Sequence, residues 1–131
     1  MALFECNSGG GGGGLDSTPL WSNPDTSASM STLDALLNDV MENYDYISVQ
    51  YKGRTADDDD TTVAAIVSLP NLKRSGTNAR FALSATVNST PYIRQWRYLD
   101  STHVRFAGAV NASSGATANS YCIPVAVYGK K

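Results

Sequence analysis

The chain has 131 residues, enough for one domain with a single hydrophobic core. Its apolar content of 42%, charged content of 17% and net charge of −2 are ordinary for a folded protein. They exclude a general affinity for nucleic acid or an anionic membrane surface.

Charge is nonetheless divided along the chain. Residues 1–60 hold eleven acids against Lys52 and Arg54, whereas residues 61–131 hold eight bases against Asp100 alone. The bases are scattered. Either the two halves interleave and neutralise each other in one fold, or acidic and basic faces of neighbouring subunits meet.

In chain order, the opening Met1-Ala-Leu-Phe-Glu-Cys6 has no basic segment and too short an apolar run for a signal peptide. Synthesis in a cytoplasm is the reading. The six glycines Gly9–Gly14 cannot nucleate a helix or pack a strand, so they read as a flexible tether. Residues 1–14 are thus an attachment segment and tether, and residues 15–131 the folded body. In a polar stretch, Leu20-Trp21 is the apolar pair that docks onto this body, and Asn23-Pro24-Asp25 is a turn.

Leu33, Leu36, Leu37, Val40 and Met41 recur at helical spacing, which predicts a short helix over 32–43 capped by Ser31. The period then changes to two. Ile47, Val49 and Tyr51 alternate with polar neighbours. Val63–Leu69 is nearly continuous and reads as a strand covered on both sides or in a sandwich core. Phe81, Leu83, Ala85 and Val87 face one way, Tyr92–Leu99 is aromatic-rich, and His103–Ala107 alternates again. Tyr121–Val127 is the last strand, with Pro124 requiring an edge position or a bulge. Short strands separated by turn signals predict a mainly β fold: an antiparallel β-sandwich, jelly-roll-like, with one short helix and a glycine-rich N-terminal segment.

Candidate chemistry is sparse. The glycine run contains Gly9-x-Gly11-x-x-Gly14 but lacks the flanking strand and helix of a phosphate cradle. Asp57, Asp58, Asp59 and Asp60 offer oxygen ligands to calcium without the spacing of an EF-hand loop, and read as a solvated loop. His103 is the sole histidine, with Asp100 three residues before it and no nucleophile elbow anywhere. No paired carboxylates for glycoside hydrolysis stand out. Cys6 and Cys122 have no metal spacing and imply no disulfide. Asn88-Ser89-Thr90 and Asn111-Ala112-Ser113 match the glycosylation pattern but read as turns. The chain therefore reads as a non-enzyme without metal or cofactor. Tyr92, Arg94, Trp96 and Tyr98 share one side of a strand. They are the candidate ligand-binding set, as flat rings with hydrogen-bonding neighbours suited to a sugar, or else rings that pack inward with Arg94 reaching water.

The order of Gly9–Gly14, Leu20-Trp21-Ser22-Asn23-Pro24, Leu33 leading to Tyr44–Tyr51, and the close Tyr121–Lys130 resembles small tail-associated proteins of phages and prophages of Gram-positive bacteria. Asp57–Asp60 and residues 88–120 depart from that pattern. The resemblance implies a virion component at a tail tip or fibre, trimeric, in contact with other tail proteins. It would present its sandwich to a host-surface saccharide, with no membrane insertion. A free-standing carbohydrate-binding module is the alternative, and a small hydrolase a weaker one.

Overall fold

The computed structural model describes residues 18–74, 78 and 81–131. The attachment segment and tether expected over 1–14, and Cys6 with them, lie outside the described residues.

Eight strands form two four-stranded antiparallel sheets. They are β1 (Trp21–Ser22), β2 (Leu33–Leu36), β3 (Tyr46–Arg54), β4 (Val63–Ser68), β5 (Phe81–Val87), β6 (Thr90–Asp100), β7 (His103–Asn111) and β8 (Tyr121–Lys130). One sheet runs β1-β8-β3-β4 and the other β2-β7-β6-β5. The outer pairings are nested, first strand with last and second with seventh, as in a jelly roll. The inner strands close locally as the hairpin β3–β4 and the meander β5–β6–β7. The fold is the antiparallel β-sandwich that the alternating pattern predicts.

The core lies between the sheets. Ile47, Val49 and Tyr51 of β3 and Val127 of β8 meet Leu83 of β5, Trp96 of β6, and Val104 and Phe106 of β7. Burying each large side chain contributes about 1.5–3 kcal/mol. The Phe106 ring centre lies 5.7 Å from that of Trp21 and 6.5 Å from that of Trp96. Leu20-Trp21 therefore docks as its apolar character predicts. Tyr51 Oη donates to the Ser84 carbonyl at 2.9 Å and ties one sheet to the other.

Turn chemistry sets two registers. Val87 pairs with Thr90, leaving Asn88 and Ser89 as a two-residue loop with φ of 50° and 66°. Positive φ at both positions is the signature of the turn whose twist suits a hairpin. On β8, Gln50 of β3 pairs with Ala126 and Tyr51 with Pro124, so Val125 is extra and bulges. The bulge accommodates Pro124 inside a central strand.

Two sequence expectations are corrected. Residues 32–43 form no α-helix; they give β2 and a 3-10 turn, Met41–Asn43. Burial there alternates, with Ala35, Leu37 and Met41 inside and Leu36 63% exposed. The backbone takes distant partners instead of local ones. Leu37 N–H donates to the Thr102 carbonyl at 2.7 Å, Asn38 N–H to Leu20 at 2.9 Å and Met41 N–H to Ser101 at 2.8 Å. A helix this short gains few bonds for its nucleation cost, so sheet pairing wins. Among the described residues the α-helix is α1 (Leu69–Arg74), which follows β4, holds Pro70 in its first turn and buries Leu69 and Leu72.

β4 is the second correction. It is not covered on both sides: it is the outermost strand of its sheet, with Val67 in the sandwich core but Val63 56% and Ile66 50% exposed.

Candidate binding groove and the buried Arg94

β6 carries Tyr92, Arg94, Trp96 and Tyr98 on one side, and that side faces the other sheet. Arg94 is wholly buried and Trp96 is 1% exposed. The expected sugar-binding face is therefore interior at its centre. Arg94 does not reach water either. Rings of this size contribute most when packed between sheets, and Trp96 sits there between Phe81 and Phe106.

Arg94 does something the sequence did not indicate. All five of its N–H donors meet backbone carbonyls. Nε donates to Cys122 at 2.8 Å, and Nη1 to Met30 at 2.7 Å and Ala107 at 2.8 Å. Nη2 donates to Asn119 at 3.1 Å and Tyr121 at 3.0 Å. A guanidinium is a rigid planar fork, so it fixes the relative positions of these carbonyls. One side chain thereby joins the segment before β2, strand β7, the loop after β7 and the start of β8. Burial pulls its pKa down to about 10, with the nearby Cys122 acting the other way, so the cation persists at neutral pH. Burial likewise raises the Cys122 thiol to about 11, which leaves it protonated and unreactive. Cys122 adopts φ of 51° where the chain enters β8, a local strain that the Arg94 contacts help hold.

Above this clamp, Tyr92 and Tyr121 stack face to face, with ring centres 3.7 Å apart and planes 5° from parallel. The neighbouring Tyr121 side chain, more than burial, raises the Tyr92 pKa. Together with Asn111 and residues 116–120 they line an open groove of about 400 Å³. The loop 111–120 is ordered by its own chemistry. Asn111 Oδ1 accepts from Ser113 N–H at 2.9 Å and Ser114 N–H at 3.1 Å, and Gly115 takes φ of 76°. Asn119 Oδ1 accepts from Ala109 N–H at 3.1 Å, and a Cβ at Gly108 would lie 2.9 Å from that oxygen and push it off its partner. Asn111, Thr117 and Asn119 line the groove, and their amide nitrogens and hydroxyl have no hydrogen-bond partner among the described residues. An aromatic wall beside free amide and hydroxyl donors is the chemistry that holds a sugar ring. Of the expected set, only Tyr92 reaches this groove.

Tyr98 belongs to a separate surface network. Its hydroxyl donates to Glu42 at 2.8 Å, and Lys73 pairs with Glu42 at 3.0 Å. Burial opposes charge on Glu42, but hydrogen bonds from Lys73, Tyr98 and Ser101 outweigh it and hold the carboxyl at about 2.

The acidic loop is tied down by cations. Lys52, 2% exposed, donates to the carbonyls of Thr55 at 3.3 Å and Asp57 at 2.8 Å and to Asp59 Oδ1 at 2.9 Å. Arg54 holds Asp57 at 2.8 Å. Two of the four acids are thus occupied by bases. Among the described residues, no group of three or more His, Cys, Asp or Glu side chains is placed to hold a metal ion. His103 Nδ1 meets Asp100 Oδ1 at 2.8 Å and Thr102 at 3.3 Å, and no serine hydroxyl meets its Nε2 among the described residues. Among the same residues no helix is long and apolar enough to cross a membrane.

Comparison with family models, with curated proteins and with solved structures finds no match to this chain.

Proposed function

We propose that this chain is a non-catalytic adhesion and structural module of a phage tail, and that it engages host-surface saccharide through the Tyr92–Tyr121 groove. The observation that carries the binding half is that groove itself: a stacked tyrosine pair beside unpartnered amide and hydroxyl groups, on a loop pinned from below by Arg94. A preorganised polar and aromatic groove loses little entropy on binding. The tail half rests on the resemblance of the Gly9–Gly14, Leu20–Pro24, Leu33–Tyr51 and Tyr121–Lys130 segments in order.

The test is a glycan array probed with the wild-type chain and with Tyr121→Ala and Tyr121→Phe. Retention of a saccharide class by the wild type, lost in Tyr121→Ala and largely kept in Tyr121→Phe, supports the groove. Binding unaffected by Tyr121→Ala removes it. Mass spectrometry of purified particles tests the tail assignment. A saccharide-binding chain missing from particles is the free-standing carbohydrate-binding module instead.

A further inference from the structure

Strand β4 is an open edge with none of the usual protections. Among the described residues nothing pairs with its outer side. Val63-Ala64-Ala65-Ile66-Val67-Ser68 carries no charge and no proline, and its register with β3 is unbroken. Edge strands are ordinarily blunted by a charge, a proline, a bulge or shortness. The far edge of the same sheet, β1, is two residues long, and β2 at an edge of the other sheet carries Asp34 paired with Arg105; β5, the remaining edge, shares the lack of charge and proline with β4 but exposes no large apolar side chain.

β4 also exposes apolar side chains on both faces. Val63 lies on the inward side with Val67 and Ala65, yet it is 56% exposed. Ile66 on the outward side is 50% exposed, with Tyr46, 47% exposed, sharing that side through the Tyr46–Ser68 pair. Unpaired backbone flanked by apolar side chains on both faces is a surface that another strand completes.

Charge identifies the occupant. Asp57–Asp60 precede β4, and Lys73 and Arg74 end the helix that follows it. Asp58, Asp60 and Arg74 are exposed and without side-chain partners among the described residues. An antiparallel copy of the same strand sets the acidic end of each against the basic end of the other, twice, about one two-fold axis. A parallel partner would set acid against acid. We propose that β4 pairs edge to edge with β4 of a second copy of this chain, joining two four-stranded sheets into one of eight strands. A register centred on Ala65 places Ile66 across from Ala64, large beside small, and Val63 across from Val67. The pairing is independent of the saccharide reading and gives a dimer where the family resemblance implies a trimer.

Sedimentation of the full chain tests this. The wild type sediments as a dimer. Ile66→Lys, at a half-exposed site, raises the dimer dissociation constant at least about tenfold, because each copy then brings a charge to an apolar pairing. Its circular dichroism and melting curve stay as in the monomeric body. Arg74→Glu weakens the dimer, and combining it with Asp58→Lys and Asp60→Lys restores it. Leu36→Lys, exposed at a different edge, leaves the mass unchanged. A wild type that is monomeric or trimeric overturns the proposal. So does a dimer untouched by Ile66→Lys, or one lost when residues 1–17 are removed and kept in Ile66→Lys.

Discussion

Two buried cations in this molecule hold two loops by different means. Arg94 uses five donors on five backbone carbonyls and has no carboxylate partner among the described residues. Lys52 uses two carbonyls and one carboxylate, Asp59, which is itself 57% exposed. The first clamp is geometric and joins segments distant in sequence. The second is local, within seven residues, and partly electrostatic. A fork that depends on shape is replaced only in part by another cation, whereas a point charge on a flexible stem is more readily replaced. The groove loop is therefore fixed by the architecture of the whole sandwich, while the acidic loop is fixed by its immediate neighbours.

Breaking the Arg94 clamp is the largest perturbation available. Arg94→Met takes a buried donor from five carbonyls; that of Asn119 keeps the Met30 N–H, and each one left unpaired costs about 1–3 kcal/mol. Denaturant titration should show a loss of at least about 3 kcal/mol, and Arg94→Lys should recover only part of it. Lys52→Met strands two carbonyls and one partly hydrated acid, so its loss should be about 1–3 kcal/mol. If the two substitutions cost the same, the distinction between the clamps fails.

The smaller predictions concern charge. Glu42 has a folded pKa of about 2, below its ordinary 4.5. A lowered carboxyl pKa stabilises the folded state above the unfolded value, and that stabilisation is lost as pH falls through the folded value. Thermal melts should thus show a Glu42-dependent decline between about pH 4.5 and 2 that Glu42→Gln flattens. Asp59 is also lowered, chiefly by its hydrogen bond from Lys52 and then by Thr26. Asp59→Asn should shift the melting temperature less than Lys52→Met does. Leu36→Asp, at a site 63% exposed, should change stability by no more than about 0.5 kcal/mol, whereas Leu37→Ala in the core should cost about 2–5 kcal/mol.

That last pair shows what the sequence could and could not convey. Leu33, Leu36, Leu37, Val40 and Met41 fit a helix by spacing, and the same stretch alternates Leu33, Ala35, Leu37 and Met41 at period two. Only the distant partners on β7 and the turn at Ser101-Thr102 decide between them. Where spacing is unambiguous, as in Phe81–Val87 and Ile47–Tyr51, the strands and their buried faces follow directly. The Asn88-Ser89 turn and the Pro124 bulge were legible because each residue type carries its own backbone restriction. The apolar run of β4 was misread because continuity of apolar residues marks a covered strand and an open edge alike. Arg94 was placed on the right face of its strand. That it lies inside depends on carbonyls from five separate positions, which no spacing rule brings together. Thr117 and Asn119 of the groove gave no signal beyond a polar loop, and Asn111 and Tyr121 were legible only as a turn and a strand start.

Amide hydrogen exchange on the unmodified chain tests the central claim most directly. If Arg94 holds the groove loop to the sandwich, the bonded amides of Asn111, Ala118 and Tyr121 exchange nearly as slowly as those of β3. Complete exchange of those three amides while β3 remains protected would contradict it.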